Sequence, residues 1–318
     1  MLVYSIPMRN RFRGIAVRHG VLLEGSAGWG EFCAFEDYSD AESAPWLACA
    51  LESAERGWPA PVRTRVPVNC TVPVVPPDRA HAIVAGSGCS TAKVKVADPG
   101  TPLRDDLERV AAVRDALGPS GAIRVDANAA WDVDTAVAAV RELDRAAGGL
   151  EYVEQPCPSV EELAAVRRRV DVRVAADESI RRAEDPLRVA VAGAADVAVI
   201  KVAPLGGVRR ALAVAEACGL PCVVSSAVES SVGLAAGLAL AGALPELDFA
   251  CGLGTLSLLD GDVSTDPLRP VDGWLPVPAK APEPDRFAGF AADEGTTARW
   301  LDRLDRVRGL LDRGTRGS

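Results

Sequence analysis

One phrase recurs through the middle of the chain. A short Val-rich apolar run ends in polar or charged residues, and an Ala/Leu/Arg/Glu stretch with helical periodicity follows. The runs fall at residues 66–70, 91–96, 122–128, 150–155, 172–178, 196–202, 221–226 and 249–254. Helical stretches lie between most of them, at 103–117, 133–147, 160–169 and 208–218. Gly118, Gly148 and Gly219 stand where three of these helices should stop. Strand–helix alternation at this spacing predicts right-handed crossovers and a parallel sheet. Eight such units close into an α/β (β/α) barrel. An open doubly wound sheet is the alternative, weakened because no GxGxxG follows the first strand.

The two ends of the chain break this rhythm. Residues 21–24 and 28–32 read as hairpin strands, and 43–56 as a helix. The pattern predicts a small α+β capping domain over 1–61 and a barrel over 62–272. A Pro-rich segment, 273–318, is expected to pack back on the cap through an amphipathic helix around 298–311. The tail from Arg313 is expected to fray.

Composition sharpens the picture in a few places. The 318 residues are 48% hydrophobic but only 5% aromatic, so the core must be built from Val, Ala and Leu. A net charge of −9 disfavours a nucleic-acid partner. It leaves room for an anionic small-molecule substrate, because the local field decides there. The 8 cysteines form no CxxC pair, and free buried thiols in a reducing cytoplasm are expected. With only His19 and His81, a histidine-based triad is improbable. The N-terminus lacks the pattern of a secretory signal. The most apolar run, 234–244, is too short to span a bilayer, so no membrane partner is expected.

The chemistry lies at the strand ends. Lys93 and Lys95 end the second run, Asp126 the third, Glu154 the fourth, Asp177 the fifth and Lys201 the sixth. In a barrel these ends converge on one mouth. Alternation puts Lys93 with Lys95 on one face, and Arg124 with Asp126 and Asn128 on another, while Val94, Val125 and Ala127 face the helices. Charges inside a barrel mouth are unfavourable unless paired or bound to a metal. Asp126, Glu154 and Asp177, each about one strand–helix unit apart, offer three hard oxygen ligands suited to Mg²⁺. Lys95 and Lys201 would flank that metal. A lysine base at neutral pH needs its pKa lowered by about 3 units from ~10.4. A neighbouring lysine, a metal and desolvation all act in that direction.

The motifs KVK at 93–95, VDAN at 125–128, VEQP at 153–156, DES at 177–179 and IK at 200–201 resemble the enolase superfamily, in its muconate-lactonizing-enzyme-like branch. GWGE at 28–31 is similar to a capping-domain hairpin of that superfamily, and the resemblance covers most of the chain. Within it, MRNRFRGIAVRHGVLLEG, GWGEFCAFEDY and SSAVESSVGLAAGLALA resemble the shorter, actinobacterial-type o-succinylbenzoate synthases. Two departures stand out. Ala34 replaces a usual Pro before Phe35, and the run at 251–254 reads Cys-Gly-Leu-Gly where dipeptide epimerases carry Asp-x-Asp.

The resemblance implies a magnesium-dependent lyase of menaquinone biosynthesis acting on 2-succinyl-6-hydroxy-2,4-cyclohexadiene-1-carboxylate. It makes Lys95 the base, Lys201 the opposing cation and Lys93 a tuning group that touches the substrate carboxylate. Arg124 and Asn128 would support the site. Ser225, Ser226 and Glu229, with Gly252 or Gly254, would hold the succinyl arm. The segment 9–20, with Arg9, Arg11 and Arg13, would close as a lid. The same two lysines also suit N-acylamino-acid racemization or muconate cycloisomerization. A non-catalytic binding barrel is the reading from a different class, and it would be expected to have lost one of these groups.

Overall fold

The computed structural model describes residues 1–12, 14–181, 189 and 193–316. Arg13 lies outside them. A parallel seven-stranded sheet forms from β5 (Cys70–Val72), β6 (Thr91–Lys95), β7 (Ala122–Asp126), β8 (Tyr152–Glu154), β9 (Val174–Ala176), β10 (Val197–Ile200) and β11 (Cys222–Val224), in that spatial order. The eighth predicted run forms no full strand. Instead Cys251 bridges to Val68 and Gly252 bridges to Ser225, so this segment joins the two edges of the curled sheet. A curled parallel sheet under helices is the expected barrel, closed by two bridges rather than by an eighth ladder.

The first predicted run, 66–70, divides into two elements. Val66 lies in β4 (Arg65–Pro67) and pairs with Leu275 of β12 (Trp274–Pro276), while the barrel strand begins at Cys70. Pro67, with no N–H to donate, suits the end of an edge strand better than the middle of a ladder.

Helices α2 (Pro77–Ala85), α3 (Leu103–Leu117), α4 (Val133–Ala147), α5 (Val160–Arg167), α6 (Val208–Cys218) and α7 (Ser231–Ala243) cover the sheet. Gly148 and Gly219 end α4 and α6 in the left-handed conformation that a Cβ would disfavour. The α7 helix is apolar on all sides and buried, as such a helix must be in a folded domain. All eight cysteines are free thiols.

The N-terminal residues build an antiparallel sheet, β1 (Leu2–Phe12), β2 (Ile15–Gly25) and β3 (Gly28–Phe32), backed by α1 (Asp40–Leu51) and one π-helical turn at Glu52–Arg56. The segment 9–20 is therefore the end of a long hairpin rather than a loop. The last helix, α8 (Glu294–Arg316), packs on α1. Its Arg303 donates to the backbone carbonyls of Phe35 and Tyr38 at 2.8 and 2.9 Å. Two carboxylates join this unit to the barrel. Glu52 accepts from the Val208 N–H at the start of α6, and Glu31 accepts from the Ser230 and Gly233 N–H groups at the start of α7. Each meets the positive end of a helix, where its charge is favourable. No helix among the described residues is long and apolar enough to cross a membrane.

Candidate active site

The barrel register brings the predicted charges together. Lys93 pairs in register with Arg124, Lys95 with Asp126, and Asp126 with Glu154. Lys95, Asp126 and Glu154 therefore share one level at the strand ends, and Lys93 stands one layer lower beside Arg124. Lys93, Lys95, Asp126, Glu154, Asp177 and Lys201 are all buried. Lys95 Nζ donates to Asp126 Oδ2 at 2.5 Å and to Asn128 Oδ1 at 2.7 Å. Lys93 Nζ lies 3.0 and 3.1 Å from the two Glu154 oxygens and 3.3 Å from Asp126 Oδ2. Lys201 Nζ donates to Asp177 Oδ2 at 2.5 Å. Buried charges survive only when paired, and each one here has an opposite partner.

The environment separates the two neighbouring lysines. Burial lowers the pKa of Lys95, assisted by the positive charge of Lys93 and opposed by Asp126. Burial would lower Lys93 too, but Glu154 and Asp126 outweigh it and hold Lys93 above the ordinary lysine range. Lys93 is thus a fixed ammonium, and Lys95 is the one poised to lose its proton. Glu154 is pushed up to about 7 by burial and by repulsion from Asp126. Asp126 is held below the usual carboxylate range by Lys95 and Lys93, against the effect of burial.

Three buried carboxylates at the ends of adjacent strands form an oxygen-only donor set, which suits a hard divalent cation. The raised Glu154 points the same way, because a cation beside it would relieve the repulsion that raises it. Among the described residues no three such groups are already gathered around a common metal position. The carboxylates instead grip the lysine ammonium groups, so the donor chemistry fits while the oxygens are engaged elsewhere.

A cavity of about 30 Å³ lies between the lysines, room for one water. Lys93, Lys95, Asn128 and Lys201 line it, with Ser225, Ser226 and Gly252 opposite. A larger cleft of about 820 Å³ shares Lys95 and Asn128 with it. Asn10, Arg11 and Gly14, at or beside the ends of β1 and β2, line that cleft, so the described part of the 9–20 segment overhangs the mouth. Arg9 instead donates to the Leu259 carbonyl at 3.1 Å.

Four of the expected site residues stand away from the cavity or are already engaged. Arg124 lies one layer below the mouth, fully buried, with Nη1 on the Ala250 carbonyl at 2.6 Å and Nε on Glu151. Its guanidinium stacks 4.7 Å over the Tyr152 ring. It belongs to the barrel floor. Ser226 lines the cavity, but its hydroxyl is saturated. It donates to Glu229 and accepts from Val228 N at 2.8 Å and Thr255 Oγ1 at 2.7 Å. Glu229 stands behind that wall, its carboxylate taken by Ser226 and the Ala227 N–H. Gly254 packs against the Asn69 carbonyl, 2.7 Å from where a Cβ would lie, and does not reach the cavity. Gly252 does, and a Cβ there would sit 2.5 Å from Ser225 Oγ.

The sequence reading missed Phe35, Thr71, Ala227, Val228 and Thr255, all on the cavity wall. Thr71 is the informative one. It pairs in register with Lys93, is 2% exposed, and its hydroxyl has no partner among the described residues. With the first strand placed at 70–72, the alternation that located Lys93 would have turned Thr71 inward as well.

Comparison with known proteins agrees with this geometry. Residues 77–282 match the family described as enolase C-terminal domain-like, and residues 3–54 match the one described as enolase N-terminal domain-like. The chain is 62% identical to the o-succinylbenzoate synthase of Thermobifida fusca over 305 residues, covering 96% of this chain and 95% of that one. It is 55% identical to the o-succinylbenzoate synthase of Mycolicibacterium smegmatis over 310 residues, covering 97% and 95%. The muconate lactonizing enzyme of Pseudomonas putida shares the fold, with a TM-score of 0.73 at 22% identity over 92% of this chain and 98% of that one. The chain belongs to the enolase superfamily and, within it, to the o-succinylbenzoate synthase family.

Proposed function

We propose that the chain removes water from 2-succinyl-6-hydroxy-2,4-cyclohexadiene-1-carboxylate to give o-succinylbenzoate, a step of menaquinone biosynthesis. One observation carries the reading. Lys95 and Lys201 line a single cavity from strands four places apart, in a chain 62% identical to a named synthase.

Lys95 is the base. Burial favours its neutral amine, and the Asn128 and Asp126 oxygens aim the nitrogen. It takes the proton from the ring carbon that bears the carboxylate. The electron pair moves into the ring, the bond from the adjacent carbon to its hydroxyl breaks, and the ring becomes aromatic. The new Lys95 ammonium returns that proton to the departing hydroxide, so water leaves and the amine is restored. Lys201, paired with Asp177, presents positive charge from the other side of the cavity and offsets the charge that builds on the substrate carboxylate. Lys93 stays an ammonium beside Glu154 and Asp126, and its charge helps keep Lys95 neutral. A magnesium ion held by Asp126, Glu154 and Asp177 would supply a Lewis acid for that same carboxylate. Ser225, Gly252 and Thr71 line the cavity, and the Thr71 hydroxyl, unpaired among the described residues, would meet the succinyl arm.

Purified protein with Mg²⁺ should convert the cyclohexadiene to o-succinylbenzoate, followed by the absorbance change on aromatisation. Lys95→Ala should lower kcat by about 10³-fold or more. Excess chelator should stop turnover and added Mg²⁺ restore it. Racemization of N-succinylamino acids without dehydration would overturn the synthase reading, and full activity in chelator would overturn the metal.

A further inference from the structure

We infer that Arg18, on the capping sheet, is a positioning residue that holds a strained turn, residues 226–230, in the shape that forms one wall of the catalytic cavity. Arg18 is 3% exposed. Its Nε donates to the Val228 carbonyl at 3.0 Å, and its Nη2 donates to the Ala227 carbonyl at 3.2 Å and to that of Cys33. Its guanidinium lies 4.7 Å over the Phe35 ring. Ala227, Val228 and Phe35 all line the cavity that holds the lysines. Arg18 itself does not. It faces a separate cleft of about 500 Å³ behind that wall, where Phe35 is the residue common to both spaces. The side chain thus grips the wall from the outside.

That wall needs gripping. Val228 has φ +65°, a left-handed conformation that is a genuine outlier for a β-branched residue. Such backbone persists only where its surroundings over-determine it, and it concentrates at functional sites. Two other side chains, one from the barrel and one from the cap, supply part of the hold. Ser226 Oγ accepts from the Val228 N–H at 2.8 Å, and Glu31 accepts from the Ser230 and Gly233 N–H groups at 3.1 and 2.8 Å. Those bonds fix the two ends of the turn. Arg18 takes the carbonyls of the strained Val228 and of Ala227 before it, and those peptides set where Ser225, Ser226 and Phe35 stand relative to Lys95 and Lys201. A cap residue 210 positions away in sequence from Val228 therefore shapes the pocket that reads the substrate arm.

The inference rests on the proposed dehydration for its kinetic readout and on backbone exchange for a readout that needs no activity. Arg18→Met should lower kcat/KM about 10²-fold, the usual consequence of misplacing a site by about 1 Å. Arg18→Lys, which keeps the charge but not the fork, should lose less. The deciding comparison adds Val228→Gly. Glycine reaches the left-handed region without strain, so on that background Arg18→Met should lose less than about fivefold. Hydrogen exchange should quicken at 227–230 in Arg18→Met while the rest of α7 keeps its native rate. Equal kinetic losses on both backgrounds, or no local change in exchange, would overturn the inference. If Arg18→Met fails to fold, Arg18→Lys carries the same two comparisons. A wild-type protein without dehydratase activity would overturn the proposed function alone, and the exchange result would still decide the role of Arg18.

Discussion

Arg124 offers the sharpest division between a binding role and a structural one. Replacing it with Met removes a guanidinium that is fully buried in the barrel floor. The ion pair with Glu151, the donations to the Ala250 carbonyl and to Asn69 Oδ1, and the stacking over Tyr152 go with it. Breaking a buried pair by removing one partner destabilises by about 3–5 kcal/mol. The Glu151 side chain keeps 23% exposure and can rehydrate, which moves the value toward the lower end. A carbonyl left without its donor adds about 1 kcal/mol or more. Met fills part of the volume and recovers packing, so the net loss should be about 3–4 kcal/mol. The double variant Arg124→Met/Glu151→Met removes both charges and should return about half of it. Urea unfolding measures both numbers. Steady-state kinetics on the folded variant should give KM and kcat within about threefold of the parent, since Arg124 lies a layer below the cavity. A variant as stable as the parent, with kcat/KM lowered more than about tenfold, would return Arg124 to the substrate site and refute its place in the floor.

Three other outcomes follow from the same structure. Thr71→Val removes a buried hydroxyl that has no partner among the described residues, so it should raise stability by about 1 kcal/mol while raising KM; an unchanged KM would take Thr71 out of the substrate contacts. Asp262 is raised by burial, so folding favours its neutral form more than the unfolded chain does, and the stability this gives is lost as pH rises through its folded pKa. Asp262→Asn should therefore gain stability relative to the parent at pH 8 and not at pH 4, and a pH-independent difference in thermal midpoint would contradict this. Glu31→Gln weakens charge-assisted bonds from Tyr4 OH at 2.6 Å and from the α7 N-terminus. It should cost about 2–3 kcal/mol, and a thermal midpoint within a degree of the parent would count against that joint.

The strand-end charges were legible because period-2 alternation fixes which face a side chain takes. Lys93, Lys95, Asp126, Glu154, Asp177 and Lys201 needed only that. Alternation does not give depth, and this is why Arg124 misled. It shares an inward face with Asp126 but stands two residues earlier, and in a barrel that is one layer lower. Ser226 was hard to read for a different reason. Whether Ser226 can meet a ligand depends on how many hydrogen bonds its hydroxyl already makes, and Thr255 and Glu229 reach it through the fold. Arg18 and Glu31 had no local signal either, because their partners lie about 200 residues away in the chain. The strand β1 escaped because Pro7 and the irregular pairing between Pro7 and Phe12 interrupt the pattern that would have announced it.

The floor that holds Arg124 decides how traffic moves. Tyr152 and Phe249 meet edge to face at 5.9 Å, with Ala175, Val197, Val199 and Val223 packed around them. Among the described residues the vessel is corked at that end. The mouth would then be the door for product and for the next substrate alike, so product would compete with substrate for the free enzyme. While a ligand fills that door, the packed floor keeps bulk water from reaching Lys95 from behind, and the proton on its nitrogen, held toward Asp126 and Asn128, would pass to the hydroxide departing from the same ring.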